Sequence, residues 1–301
     1  MDSHGTICVG TDFSPCSAPA VAEAARIAGA TGSSLLPVHV IPLDILGGIE
    51  QALGPVRPDL RGELTRDAIA AWRHLASAMN PPLSPAVDLR VEFAGRVEGL
   101  VRACREVGAS LLVLGAAGDS TPDIGVGTVA TGCVGESPCD VLLVRENHPG
   151  PFRRILVGVD YSETSSLALR RASSAAARDA AELHVLHVYR GPASLFPFLT
   201  GVITQWAEAI AGLEEQEEKR LADFVSTVLG EPGPGPVPVQ RTIESNFHGR
   251  AIAQAAREAD ADLVVVGTRG ATNLRDMVLG STAERVLRDT HCAILAVKPP
   301  A

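Results

Sequence analysis

Residues 7–12 read Ile-Cys-Val-Gly-Thr-Asp, and residues 155–160 read Ile-Leu-Val-Gly-Val-Asp. The similarity continues without a gap between residues 7–40 and residues 155–188, with 12 identities in 34 aligned positions. Two further matches follow in the same order and at a nearly constant offset, pairing 109–115 with 261–267 and 139–144 with 292–297. Chance similarity would not preserve this order and offset. The chain therefore contains two copies of one domain.

The boundary between the copies falls in a polar segment, residues 145–152, that contains two prolines and a glycine, as linkers do. The length of 301 residues is also that of about two domains. We therefore expect one domain over residues 1–146 and a second over residues 152–301.

Within each half, short apolar runs rich in β-branched residues alternate with longer, alanine-rich amphipathic stretches. The short runs predict buried strands, and the longer stretches predict helices. Strands that alternate with helices imply a parallel sheet covered on both faces. The predicted strands are 6–10, 34–40, 87–92, 110–115, 140–144, 154–159, 182–188, 237–243, 261–267 and 293–297. The predicted helices are 16–30, 60–79, 97–107, 164–179, 206–229 and 250–259, with one more beginning near residue 280.

Composition excludes several classes of partner. The formal net charge is −9, from 26 basic and 35 acidic residues, and aromatic residues make up 4%. Such a chain lacks the positive charge and the stacking platforms of nucleic-acid binding, and the positive charge of anionic-membrane binding. It has no run of 18 apolar residues, no Cys-x-x-Cys pair among its six cysteines and no signal-peptide pattern at its amino terminus. We therefore expect a cytoplasmic protein with no nucleic-acid or membrane partner.

Common catalytic motifs are missing from the sequence. The two lysines, Lys219 and Lys298, do not complete the Gly-Lys-Ser/Thr of a P-loop. No Gly-x-Gly-x-x-Gly follows a predicted strand, and neither Gly-x-Ser-x-Gly nor His-Glu-x-x-His occurs. His184 and His187 lie three residues apart on a predicted strand, so their side chains point to opposite faces and do not favour a metal site. We interpret His187, like His39, as a structural residue near the end of its strand.

The main functional motif follows the predicted strand 261–267. The chain runs through Gly267-Thr-Arg-Gly270 and, nine residues later, reaches Gly280-Ser-Thr282 at the start of a predicted helix. Glycines let a ligand approach the backbone closely, and the unpaired N–H groups at a helix start favour anions. A glycine loop between a parallel strand and a helix therefore predicts a phosphate cradle. Asp160 ends an earlier strand at the same edge, where it would accept from a ribose hydroxyl or hold a metal against phosphates.

At this motif the chain resembles the tandem universal stress proteins of the ATP-binding subgroup. The family motif is Gly-x2-Gly-x9-Gly-(Ser/Thr), and the second half matches its residues and its spacing at every position. The second half also has the aspartate after the first strand and the His-Val pair that ends the second. The matching residues are Gly267, Gly270, Gly280, Ser281, Asp160, His187 and Val188.

The resemblance covers essentially the whole chain and implies a fold. That fold is α/β, with two tandem Rossmann-like domains of the adenine nucleotide α-hydrolase type. Each domain would have a five-stranded parallel sheet with helices on both faces. The two domains would pack as an intrachain pseudo-dimer.

The resemblance also implies how ATP with Mg²⁺ would be bound. Val188 would present its backbone to the adenine and Asp160 would face the ribose, while no protein side chain alone would hold the metal. Arg269 lies inside the loop, where it would either reach a phosphate or remain a solvated arginine. The ribose side would also be lined by Val266 and Gly267, and the phosphates wrapped by Gly270, Gly280, Ser281 and Thr282.

The first half departs from the family pattern. Its loop has eight residues between the second and third glycines instead of nine, and this insert, residues 119–126, contains two acids and no base. The second-half loop instead has Arg269 and Arg275 against Asp276. We therefore expect the main ATP site in the second half, and in the first half either a weak site or a plain turn inherited from the duplication. The first-half candidates are Asp12, Val40, Gly115, Gly118, Gly127 and Thr128.

The expected function is that of a stress-response switch in which ATP orders the loop 268–279 and shifts a binding surface. No positioned nucleophile or general base is identified, so no catalytic residue is assigned. Slow ATP hydrolysis or autophosphorylation, and a nucleotide-independent interaction module of the same family, are the alternatives. An ATP pyrophosphatase is disfavoured, because its Ser-Gly-Gly-x-Asp-Ser loop is replaced by Gly158-Val-Asp-Tyr-Ser162.

The last strand of each half, 140–144 and 293–297, is apolar and is predicted to be an edge. The resemblance implies that these strands pair across a two-fold axis. The sequence leaves open a further homodimer and the identity of protein partners.

Overall fold

The structure is a computed structural model that describes residues 5–53, 59–116, 126–148, 150–191, 207–230, 236–270 and 279–300. The chain divides into two compact units, Met1–His148 (unit 1) and Pro149–Ala301 (unit 2). Among the described residues, no helix combines the length and the apolarity needed to cross a bilayer.

Unit 1 is built around five parallel strands in the order β3-β2-β1-β4-β5. Its strands are β1 (Thr6–Gly10), β2 (Ser34–Ile41), β3 (Arg90–Phe93), β4 (Ala109–Gly115) and β5 (Asp140–Val144). Its described helices are α1 (Ala18–Thr31), α2 (Leu43–Leu53), α3 (Leu60–Ala78), α4 (Arg96–Glu106) and α5 (Thr128–Glu136).

Unit 2 repeats this arrangement, with five parallel strands in the order β8-β7-β6-β9-β10. Its strands are β6 (Arg154–Val159), β7 (Glu182–Tyr189), β8 (Val239–Glu244), β9 (Leu263–Gly267) and β10 (Ala293–Val297). Its described helices are α6 (Glu163–Asp179), α7 (Ala207–Leu229), α8 (His248–Glu258) and α9 (Ser281–Asp289).

The strand order creates the position of a site. In each unit the chain moves from the first strand to one side of the sheet and later returns to the other side, so that β1 lies beside β4 and β6 beside β9. The loops that leave these two neighbouring strands turn in opposite directions and open a crevice at the carboxyl ends. The strands below the crevice are covered on both faces, since residues such as Val157, Val264 and Val265 are fully buried.

Local sequence explains where the helices begin and end. At the start of α6, the Ser162 hydroxyl accepts a hydrogen bond from the backbone N–H of Ser165 at 3.1 Å. At the end of α1, Gly32 adopts a left-handed conformation (φ 67°), which closes the helix with a bond to the Ala28 carbonyl.

The predicted alternation of strands and helices, with five parallel strands in each half, is confirmed, but some boundaries differ. Strand β3 begins at Arg90 instead of residue 87, because the Val87 carbonyl accepts a hydrogen bond from the Trp72 indole N–H at 2.9 Å. Strand β9 begins at Leu263 instead of residue 261, because the Asp262 carboxylate caps the start of β6 instead. Helices α2 and α5 were not predicted. Helix α2 begins directly after Pro42, whose carbonyl accepts a hydrogen bond from the Leu46 N–H at 3.1 Å.

Candidate functional site

Unit 2 has a cleft of ≈ 350 Å³ at the carboxyl ends of β6 and β9. The structure brings all nine predicted second-half residues to this cleft, although the sequence separates them by more than a hundred positions. They are Asp160, Val188, Val266, Gly267, Arg269, Gly270, Gly280, Ser281 and Thr282.

The Asp160 carboxylate is held in a defined orientation at the end of β6. The Ser162 N–H and hydroxyl donate to Asp160 Oδ1 at 3.1 and 2.5 Å. Asp160 Oδ2 lies against Gly270, where a Cβ atom would sit 2.6 Å from it. Glycine at position 270 therefore lets the loop pass directly over the carboxylate, as a cradle for a polar ligand requires.

The start of helix α9 is docked against the end of β9. The Thr268 N–H donates to the Val297 carbonyl at 2.8 Å, and the Gly280 N–H donates to the Thr268 carbonyl at 2.9 Å. The N-cap residue Gly280 is extended (φ −72°, ψ 147°) and, being a glycine, has no side chain that could cap the helix. The first-turn amides of α9 thus begin at the cleft wall, where a helix dipole favours an anion.

Val188 and Val266 form an apolar wall of the cleft. Both side chains are buried, at 6% and 3% exposure. Val188 lies near the end of β7, in register with Ile243 of β8. The apolar wall and the polar groups around Asp160 give the cleft the mixed character of a small-molecule site.

Two functional candidates in the unit-2 cleft escaped the sequence analysis. Arg190 follows β7 and is exposed, and His248 is the first residue of α8 and is half-buried. Burial lowers the pKa of the His248 imidazole, and the positive charge of Arg190 lowers it further, while Asp160 acts in the opposite direction. Both residues stand just beyond strand ends at the same sheet edge as Asp160, which was the signal that could have found them.

Unit 1 has a corresponding cleft of ≈ 460 Å³ at the carboxyl ends of β1 and β4. Gly118 lies outside the described residues, as do residues 119–125 of the insert. Arg96, the first residue of α4, lines the cleft and was also missed by the sequence analysis. The predicted first-half residues that line it are Asp12, Val40, Gly115, Gly127 and Thr128.

The shorter first-half loop does not change how its ends are anchored. The Ala116 N–H donates to the Val144 carbonyl at 2.8 Å, and the Gly127 N–H donates to the Ala116 carbonyl at 2.9 Å. These are the counterparts of the two bonds in unit 2. Ser14 likewise donates its N–H and hydroxyl to Asp12 Oδ1. Burial raises the pKa of the Asp12 carboxyl, but the bonds from Ser14 and Ser17 outweigh it and hold that pKa below its usual value.

The clefts differ in their charged groups. Among the described residues, the charged or titratable side chains that line the unit-1 cleft are Asp12 and Arg96. Those that line the unit-2 cleft are Asp160, Arg190, His248 and Arg269. In the aligned sequence, the positions of Arg190 and Arg269 are occupied in unit 1 by Pro42 and Ala117. The unit-2 cleft therefore offers more positive charge to an anionic ligand. Arg275 and Asp276 of the second-half loop lie outside the described residues.

The two histidines of the second strands support the edge of each cleft. His39 Nδ1 lies 2.8 Å from the Thr11 carbonyl, and His187 Nδ1 lies 2.8 Å from the Val159 carbonyl. Each ring packs on the aromatic residue after the aspartate, Phe13 in unit 1 and Tyr161 in unit 2. In the part of the chain that the structure describes, no three His, Cys, Asp or Glu residues are grouped so that they could hold a metal ion.

The glycine loop and the repeated fold agree with a comparison against known families. The sequence model of the universal stress protein family matches residues 4–145 and 151–298. The chain belongs to the universal stress protein family. It carries two copies of the family domain in tandem.

Two of the known relatives match this chain along almost its whole length. The universal stress protein Rv2623 of Mycobacterium tuberculosis is 27% identical over 302 residues, which cover 97% of this chain and 96% of that protein. The crystal structure of a universal stress protein from Archaeoglobus fulgidus matches with a TM-score of 0.66 at 20% identity, covers 98% of both chains, and supports the fold alone. A universal stress protein in complex with cAMP matches 50% of this chain and 100% of its own, at 22% identity and a TM-score of 0.34, which is too low to support an argument about function.

Proposed function

We propose that this universal stress protein binds ATP, with Mg²⁺, in the unit-2 cleft and acts as a nucleotide-dependent switch in a stress response. The observation that carries this proposal is that Asp160, the described glycines of the loop and the start of α9 converge on one cleft. The unit-1 cleft would bind ATP more weakly or not at all.

The residues present in the unit-2 cleft fit a nucleotide. Its volume of ≈ 350 Å³ falls within the range of about 300–1,000 Å³ that is usual for small-molecule sites. The buried side chains of Val188 and Val266 suit a base or sugar face, while Asp160 offers an acceptor for a ribose hydroxyl. Arg190, Arg269 and the amides at the start of α9 favour phosphates.

Mg²⁺ would be held mainly by the phosphates of the nucleotide. This follows from the preference of Mg²⁺ for substrate phosphates and water over all-protein cages. The metal would neutralise part of the phosphate charge, and the protein groups would orient the nucleotide.

The switch requires that ATP bind one conformation of the chain better than another, because a ligand shifts a population only by its differential affinity. Our proposal places this difference in the loop 268–279, of which the structure describes residues 268–270 and 279. Hydrogen exchange measured with and without ATP would test it. We expect ATP to slow hydrogen exchange in this loop and in the surface beside it. Unchanged exchange in protein that is saturated with ATP would contradict the switch.

The first test of binding is the nucleotide content of the purified protein. The full chain is purified without added nucleotide and denatured, and the released adenine nucleotides are quantified per chain by chromatography. About one ATP per chain supports an occupied unit-2 cleft, and about two would contradict the ranking of the units. No release, together with no binding of ATP and Mg²⁺ on titration, would refute the proposal and favour the nucleotide-independent interaction module.

A pair of matched variants assigns the site to a unit. Gly280→Trp fills the unit-2 cleft at the start of α9, and Gly127→Trp does the same at the start of α5 in unit 1. We expect Gly280→Trp to abolish tight ATP binding and Gly127→Trp to preserve it. One tightly bound nucleotide in Gly280→Trp would show that the ranking of the units is wrong.

A further inference from the structure

The two clefts carry different residues at one equivalent position beside the predicted phosphate site. Arg96 is the first residue of α4 and lines the unit-1 cleft, and His248 is the first residue of α8 and lines the unit-2 cleft. Both helices have 11 residues and follow the edge strand of their unit. An arginine keeps its charge at every physiological pH, whereas a histidine gains or loses its charge near neutrality.

Close packing holds His248 beside the start of α9. A Cβ atom on the next residue, Gly249, would lie 2.9 Å from the Thr282 carbonyl and 2.5 Å from the Arg285 Cβ. The first turns of α8 and α9 are therefore in direct contact, and Thr282 lines the same cleft as His248. A phosphate bound at the start of α9 would lie close to the His248 imidazole.

The groups around His248 favour its neutral form in the absence of an anion. Three charged or titratable groups act on it electrostatically: Asp160 at the end of β6, His187 on β7, and Arg190 after β7. Arg269, in the loop after β9, lines the same cleft, and Arg285 of α9 lies against the neighbouring Gly249. Burial, Arg190 and His187 lower the pKa of His248 below its usual value, and Asp160 alone of the groups that shift it acts against them. Arg285 forms an ion pair with Asp289 at 3.3 Å, and Arg250 on α8 itself stacks on Phe247.

We propose that His248 takes up a proton when a polyphosphate binds in the unit-2 cleft, so that the nucleotide affinity of unit 2 rises as the pH falls. This inference rests on the proposed function and adds a regulation of that site. The equivalent Arg96 makes any binding in unit 1 independent of this proton. Position 248 would thus give the two homologous clefts different responses to acidification.

The sign and size of the effect follow from electrostatics. A bound polyphosphate brings negative charge next to His248, so the pKa of His248 is higher in the complex than in the free protein. Affinity is therefore greater below the two pKa values than above them. One phosphate charge about 6 Å away, at an effective dielectric constant of about 20 to 80, corresponds to about a 3- to 100-fold change in Kd.

The test is calorimetric titration of the full chain with ATP and Mg²⁺ between about pH 6 and about pH 8, around the ordinary pKa of histidine. Each titration is made in two buffers of different ionisation enthalpy, which reports proton uptake per bound nucleotide. His248→Arg, which copies unit 1, and His248→Asn are the matched variants. Because the nucleotide's own phosphate titrates in all three proteins, the difference between wild type and variants isolates His248.

We expect wild type to take up more protons than either variant and to lose about 3- to 100-fold more affinity on going to the higher pH. His248→Arg should bind ATP more tightly than wild type at the higher pH. The NMR signal of the His248 ring should titrate at a higher pH with ATP than without it. ATP binding with equal proton uptake in all three proteins would overturn this inference and leave the proposed function intact. No ATP binding at any pH would overturn both.

Discussion

Replacing Gly270 by alanine tests the geometry on which the unit-2 site depends. The new Cβ would lie 2.6 Å from Asp160 Oδ2, a separation that real Cβ atoms essentially never show. The carboxylate cannot simply turn away, because its other oxygen accepts two hydrogen bonds from Ser162. Either the loop rises or Asp160 leaves its position, and both movements disturb the predicted ribose contact.

The expected loss can be worked out from these bonds. Displacing Asp160 gives up about one hydrogen bond to a charged group, about 1.5–3 kcal/mol. This corresponds to about a 10- to 150-fold increase in the Kd for ATP. The measurement is calorimetric titration with ATP and Mg²⁺, supported by thermal unfolding to show that the variant folds.

Two controls make the result decisive. Gly212→Ala is the same chemical change on helix α7, at a position where a Cβ would meet nothing within 4 Å, so it should leave the Kd unchanged. In an Asp160→Ala background the clash is gone, so adding Gly270→Ala should cost almost nothing more. An unchanged Kd in Gly270→Ala, or an equal loss in both backgrounds, would refute the close approach of loop and carboxylate as the basis of the site.

Three further predictions concern stability and reactivity. Ser162→Ala removes the cap of α6 and should lower the free energy of unfolding by about 0.5–2 kcal/mol in a denaturant titration, and no loss would contradict the capping role. Burial raises the pKa of Glu23, but bonds from Arg26 and His148 outweigh it and lower that pKa below 4.5. The stabilisation by Glu23 is therefore present above its unfolded-state pKa and is lost as the pH falls through its folded-state pKa. The free energy of unfolding should thus fall less steeply with decreasing pH in Glu23→Gln than in wild type, and equal slopes would contradict this. Cys16 is the most accessible of the six cysteines, so it should react with a thiol reagent before the five buried thiols in the native protein, and that first phase should vanish in Cys16→Ser.

Much of the fold could be predicted because its signals are local or repeated. A buried strand such as β9 (Leu263–Gly267) is recognisable from its own apolar run, and the repeat of Ile7–Val40 in Ile155–Val188 supports each assignment a second time. The boundaries that failed were decided by distant partners. The Trp72 indole N–H donates to the Val87 carbonyl, and β3 begins only after this residue. The backbone N–H groups of Arg153 and Arg154 donate to the Asp262 carboxylate, and β9 begins at the next residue.

Some residues of the candidate sites could likewise be found from the sequence, and others could not. Gly267, Gly270 and Gly280 could be found because their spacing within one loop reflects a single strand-to-helix turn. Arg96, Arg190 and His248 could not be found by spacing, since each lies in a different connection from the glycine loop of its own unit. Only the order of the strands brings these connections to one edge.

The sequence by itself determined that the chain is a tandem α/β protein with a glycine loop in its second half, because periodicity, composition and repetition act within short stretches of chain. Only the tertiary structure decided which side chains meet around that loop, how closely Gly270 passes Asp160, and that Arg96 and His248 line the clefts of their units. The physical reason is that a parallel sheet brings together strand ends far apart in the chain, and the charge and packing of a cleft depend on those neighbours in space.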